Sequence, residues 1–172
     1  STVILNEDSK LSYEQSFGDS LREVMLTGEA YFNVTHNAAK PFTVVTGNIT
    51  TRVLGTSFNV TAYPDQQQVE VTVTRGKVQV TNDERLLGII TPDQQISVNT
   101  ITYDFVQRSV KAEQATAWQS QYLILDDVSL EEAATTIGHK YDVTIALSND
   151  ALKGCRISAT FLKGENLEQV LT

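Results

Sequence analysis

Few side chains in this chain have the type and spacing that chemistry requires. Gly55-Thr56 is one pair: a threonine hydroxyl can attack the carbonyl before it when that peptide is strained, giving an ester that hydrolyses. On residue type alone the pair reads more simply as a glycine turn followed by a β-branched strand residue. Cys155, His139 and Asp142 are a nucleophile, a base and an orienting carboxylate. Cys155 opens a stretch with strand alternation, however, and we expect it to be a small buried apolar residue. Asp126-Asp127 and Glu131-Glu132 offer paired carboxylates of the kind that hydrolyse glycosides. Acids at the start of a helix are already accounted for by the helix dipole. His36 and His139 lie far apart, with no second cysteine and no HExxH, so no metal site is expected. There is no GxGxxG and no GxxxxGK[ST] to cradle a phosphate. Arg75 and Lys77 flank Gly76 as an anion site would, but charged residues at a solvated turn look the same, and we read them so. From these residues we expect no enzyme, no catalytic residue, no cofactor and no metal.

Charge and length narrow the classes further. The chain has 172 residues and a net charge of −8, with the cations scattered. Such a surface repels phosphate backbones, so nucleic acid is not an expected partner. A single cysteine forbids an intrachain disulfide and is compatible with an oxidising compartment when the domains are large enough to hold a core. No apolar run has the length of a membrane span, and no signal peptide is present. The abrupt start in strand-like residues and the stop inside a helical pattern read as a fragment whose anchor lies elsewhere.

The elements that must position any site are mostly strands. In Leu26–Tyr63, apolar Phe32, Val34, Phe58, Val60 and Ala62 alternate with Asn33, Thr35, Asn59 and Thr61, which puts one face on a core and the other in water. Gly28, Gly47 and Gly55 mark expected bends, and Pro41 fits the start of the strand Phe42–Val45. Val3–Leu5, Leu11–Tyr13 and Glu23–Leu26 are further strands, with a loop from Glu14 to Leu21. Val69–Thr74 and Lys77–Thr81 alternate on either side of Arg75-Gly76 and read as a β-hairpin. After a turn at Asn82–Arg85, Leu86–Ile90, Ile96–Val98 and a strand carrying Ile101, Tyr103 and Phe105 follow. Up to about Val106 no helical period is visible, which means a sandwich, a barrel or a stacked β-roll. Asn33-Val34-Thr35, Asn48-Ile49-Thr50 and Asn59-Val60-Thr61 match the N-glycosylation pattern but fit the strand alternation as well.

The composition changes at Gln107–Ala117, a polar stretch read as a linker. A strand at Tyr122–Leu125 follows. Ser129 and Glu132 have capping-box spacing, and Leu130, Ala133, Ala134 and Ile137 share a helical face. Tyr141–Leu147 and Cys155–Phe161 read as strands. Gly164-Glu165 precedes a second helix with Asn166 as N-cap and Gln169 three residues on. The expected organisation is an antiparallel all-β domain over residues 1–110 and a small α+β domain, β-α-β-β-α and incomplete, over 117–172.

Three blocks in order carry a family resemblance: Leu26-Thr27-Gly28-Glu29-Ala30-Tyr31-Phe32-Asn33-Val34, then Pro41-Phe42-Thr43-Val44, then Val53-Leu54-Gly55-Thr56-Ser57-Phe58-Asn59-Val60. Together they resemble the FecR family, the periplasmic sensor domains of membrane-anchored sigma regulators. The likeness covers roughly Ser1–Val106. Pro92-Asp93-Gln94 stands where that family has Pro-Gly-Gln. Trp118–Thr172 is similar to the short N-terminal domains of secretins and TonB-dependent transducers, through Leu123-x-Leu125, Ser129–Glu132 and Tyr141–Ile145.

The resemblance implies the periplasmic part of a single-pass inner-membrane anti-sigma factor. Its partners would be the signalling domain of a TonB-dependent outer-membrane transporter, an extracytoplasmic-function (ECF) sigma factor held by a cytoplasmic segment, and periplasmic or membrane proteases. It also implies self-cleavage at Gly55–Thr56, since some FecR-like sensors are cut at a Gly-Thr pair in this motif. The competing reading is a β-rich adhesin or carbohydrate-binding module, for which Trp118 and Tyr63 are the available aromatics.

Overall fold

Alternation runs unbroken from Arg22 to Asn33, and these 12 residues form one long strand, β3. Val24, Leu26, Gly28, Ala30 and Phe32 are buried, while the residues between them face outward. Gly28 is therefore not a bend. It sits mid-strand with φ +94°, and a Cβ there would lie 2.7 Å from the Ser9 Cα. Glycine is needed because another segment of backbone crosses it.

The computed structural model describes residues 1–14, 17–18, 22–83, 85–121, 123–161 and 166–171. They divide into two units, Ser1–Gln119 and Ser120–Thr172. Part of the expected 14–21 loop, the turn residue Glu84, Tyr122 and Gly164-Glu165 lie outside the described residues.

In the first unit, β1 (Thr2–Leu5) and β2 (Lys10–Ser12) both pair antiparallel with β3. The remaining strands are β4 (Phe42–Thr46), β5 (Ile49–Val53), β6 (Ser57–Ala62) and β7 (Gln68–Arg75), then β8 (Val78–Asn82), β9 (Arg85–Ile90), β10 (Gln94–Asn99) and β11 (Phe105–Ser109). The sheet order is β11-β10-β7-β6-β3-β4-β5-β8-β9. The first half of β3 pairs with β4, in parallel, and the second half pairs antiparallel with β6. One strand thus carries two arms of sheet, and the parallel pair makes the sheet mixed rather than wholly antiparallel. The arms curl toward each other: a Cβ on Gly88 of β9 would lie 3.1 Å from Ile96 Cδ1 of β10. The result is nearly a barrel, with one core filled from both arms. Phe32 stacks on Phe58 at 5.0 Å and meets Phe42 at 5.9 Å, and the valines of β4, β7 and β8 close around them.

The expected hairpin at Arg75-Gly76 is absent. β7 pairs with β6 and β10, while β8 pairs with β5 and β9. The dipeptide is an arch that carries the chain from one arm to the other. Both strands point valines into the shared core, Val71 and Val73 from one side, Val78 and Val80 from the other. An arch satisfies the same alternation as a hairpin, so pattern alone does not separate them.

Two more expectations fail nearby. Ile101 is exposed and Tyr103 takes φ +58° in a turn, so the strand begins only at Phe105. The stretch read as a linker is β11 followed by a short helix, α1 (Ala112–Thr116). All five residues of β11 are exposed, so no face is apolar and the period-two signal disappears.

In the second unit, β12 (Leu123–Ser129) pairs antiparallel with β13 (Arg156–Phe161), and α2 (Leu130–Tyr141) and α3 (Leu167–Leu171) accompany them. Leu123, Leu125, Ala133, Ile137 and Val170 are its buried core. The capping box is present: Glu132 N–H donates to Ser129 Oγ at 3.2 Å, and Ser129 N–H to Glu132 Oε2 at 2.8 Å. Asn166 and Gln169 make the same reciprocal pair at α3. The strand expected over Tyr141–Leu147 does not form. Tyr141 ends α2, Asp142 caps it with φ 53°, and residues 143–147 join no ladder among the described residues. Ile145 packs on the small core, so the alternation reflects one apolar face without a strand partner.

Candidate functional site

β5 ends at Val53, and the chain turns through Leu54-Gly55 into Thr56 and β6. The turn is held by the segment that follows β3: Val34 N–H donates to Thr56 O at 2.9 Å, and Asn37 N–H to Leu54 O at 2.7 Å. A Cβ on Gly55 would lie 2.6 Å from His36 Cβ, so only glycine admits this approach. From the other side comes Gly76, at φ +90°, where a Cβ would lie 2.9 Å from Thr56 Oγ1. Thr56 is thus clamped between two glycines and is 1% exposed. Its hydroxyl donates to Lys77 O at 2.9 Å. Neither Gly55 nor Thr56 has a positive φ, and the peptide between them is not cis.

Beside this clamp lies an open cavity of about 410 Å³. Arg52, Leu54, Lys77 and Ile89 line it with His36 and the Gly55-Thr56 turn. Across His36 and Gly55 lies a second, of about 460 Å³, which Arg75 lines. Arg75 donates to Asn33 Oδ1 at 3.1 Å. The structure therefore brings Gly55, Thr56 and the two cations Arg75 and Lys77 into one neighbourhood, which their separation in sequence did not suggest.

A second polar cluster was not legible in the residues. Glu29 accepts from Asn59 Nδ2 at 2.7 Å, Thr61 Oγ1 at 3.0 Å and Asn6 Nδ2 at 2.7 Å. Asn59 is buried, not facing water as alternation implied, and its Oδ1 accepts from the Trp118 indole at 3.2 Å. The cross-strand neighbours Thr72 and Gln95 continue the row, and Arg108 donates to Gln95 Oε1 at 2.9 Å. The available signal was the succession of polar residues with two or more donors or acceptors at matching registers. Trp118 and Tyr63 are both half-buried and spend their polar atoms on the protein, Tyr63 on Glu7 O at 3.1 Å. Neither forms an exposed aromatic platform for a sugar.

The remaining sequence candidates are not assembled into a site. Cys155 is exposed and precedes β13, contrary to the expected buried position. The two-stranded sheet leaves alternate positions of β13 to solvent, and Cys155 lies just outside it. His139 and Asp142 line a shallow cavity of about 240 Å³ whose lining does not include Cys155. The carboxylates near α2 are structural. Asp127 holds Arg156 at 2.6 Å, which raises the guanidinium pKa. Glu131 lies 3.8 Å from Lys153, and the backbone hydrogen bond from Ser129 holds Glu132 below the usual carboxylate range. Among the described residues no cluster of His, Cys, Asp or Glu could hold a metal ion, and no helix is long and apolar enough to cross a membrane.

The first unit is a mostly β scaffold with two open cavities beside the Gly55–Thr56 turn. Residues 1–79 match the family model of the FecR protein, and residues 122–172 match that of the FecR C-terminal region. The chain belongs to the FecR family. Two crystal structures of a candidate anti-sigma factor from Parabacteroides distasonis are similar to it at 31% identity, with TM-scores of 0.65 and 0.64. The likeness covers 98% of this chain and 79% and 78% of those chains. No curated protein matches it.

Proposed function

We propose that this chain is the periplasmic sensing part of a single-pass transmembrane anti-sigma factor. It receives a signal from a TonB-dependent outer-membrane transporter and controls an ECF sigma factor through a cytoplasmic segment. The observation that carries this reading is the family match on both units, FecR on the first and its C-terminal region on the second, joined to the likeness along nearly the whole chain to a candidate anti-sigma factor. The layout that serves it is a β-rich domain followed by a small α+β domain. The small domain supports edge pairing with the transporter's signalling domain: β12 and β13 form a two-stranded ladder, so each has an edge carrying no strand among the described residues.

A sigma-dependent reporter tests the proposal in cells of the native host. Deleting residues 120–172 from the full-length regulator should abolish the response to the transporter's substrate, with the protein still present on a blot. An unchanged response would overturn the assignment of sensing to this unit.

Self-cleavage at Gly55–Thr56 is a proposal within the same reading. For it, Thr56 Oγ1 must leave Lys77 O and turn onto the Gly55 carbonyl carbon, which requires a conformation other than the clamped one. Two fragments from the wild type and one intact band from Thr56→Ala would support it; the same band pattern from both would end it.

A further inference from the structure

We propose that the cavity beside Gly55–Thr56 is a docking groove for an extended acidic peptide segment of a partner protein. Charge is the first argument. The chain carries 21 acidic and 13 basic residues, yet this groove is lined by Arg52, Lys77 and His36 and by no carboxylate. Three cations elsewhere are matched, Arg108 by Glu70, Lys153 by Asp150 and Arg156 by Asp127. Among the described residues, neither Arg52 nor Lys77 has an ion pair, and both are exposed. A basic patch maintained on an acidic protein selects for negative charge.

The second argument is the apolar component. Leu54 is 43% exposed and Ile89 47% exposed, and both line the same groove. Ile89 belongs to an outward row that crosses three strands, Arg52 on β5, Gln79 on β8 and Ile89 on β9. A polyphosphate or a simple anion has no use for Leu54 and Ile89. An extended peptide does, because its side chains point alternately to opposite sides. One set of residues covers the two apolar side chains while carboxylates on the flanks meet Arg52 and Lys77. A volume of about 410 Å³ fits a few side chains of such a segment rather than a folded domain. The surface is on the β unit, so this inference does not depend on edge pairing in the small unit.

The probe is a fluorescein-labelled nonapeptide alternating Glu and Leu, titrated with the full chain and followed by anisotropy. Its control has Gln for every Glu. The acidic peptide should bind saturably, the Gln peptide at least ~10-fold more weakly, and affinity should fall as salt rises, since exposed charges are screened. The double variant Arg52→Glu, Lys77→Glu should lose binding at least ~10-fold, and Leu54→Ser should weaken it with the salt dependence unchanged. Arg52→Gln alone serves where the double variant melts below the wild type. Equal binding of the two peptides, binding unaffected by these variants, or no saturation by the acidic peptide overturns the proposal.

Discussion

Position 28 admits no side chain without displacing Ser9, whose hydroxyl accepts from Glu29 N–H at 2.8 Å. Gly28→Ala should therefore lose about 2 kcal/mol or more, from strain at positive φ and from the lost approach of Ser9. Urea unfolding with an unchanged slope would show it, and a midpoint equal to wild type would contradict it. Thr51 presents the opposite case. Its side chain is buried in the core arm formed by β5, and its hydroxyl has no hydrogen-bond partner among the described residues. Thr51→Val keeps the shape and removes the orphan group, so it should raise stability by about 1 kcal/mol. A lower melting temperature would count against that reading. At the start of α2, Ser129→Ala should cost about 1 kcal/mol and speed hydrogen exchange in the first turn. The Glu132 carboxylate is held below its ordinary range by the same box. A depressed pKa stabilises the fold above the unfolded value, so the contribution should fade as pH drops through the folded value and be absent in Glu132→Gln.

Elements were legible where one face is apolar and the other polar. β6 and β10 follow from alternation, β3 only in part because Gly28 reads as a bend that it does not make, and α2 follows from its cap and its Leu130, Ala133, Ala134 and Ile137 face. Elements without that contrast were not: β11 is exposed on both sides, and the segment after α2 is amphipathic but joins no ladder. Connectivity was less legible still. Arg75-Gly76 has the composition of a tight turn, and only the packing of Val73 and Val78 from opposite arms makes it an arch. Backbone cross-strand NMR contacts should therefore link Thr72 with Gln95 and Val80 with Gly88, and no backbone ladder contacts should link β7 to β8, which meet through core side chains. Backbone ladder contacts between Thr74 and Lys77 across a hairpin would contradict the arch. The site was legible in part. Gly55 and Thr56 stood out in sequence, but their clamping by His36 and Gly76 depends on residues about 20 positions away on either side, and no local pattern encodes that.

At the scale of the molecule, the chain joins a mixed β unit, with Glu29 bonded to Asn59 and Gln95 to Thr72, to a small unit whose two paired strands each have an edge carrying no strand among the described residues. Under the function proposed above, a FecR family member of this layout passes its signal on by protein contact. Under the docking proposal above, the basic groove on an acidic chain would give such contacts their selectivity. The most direct measurement, for the function proposed above, is calorimetric titration of this chain with the isolated signalling domain of a TonB-dependent transporter from the same cell. The account predicts saturable binding with micromolar affinity or tighter, lost when residues 120–172 are removed. No heat and no binding at high micromolar concentration would contradict it.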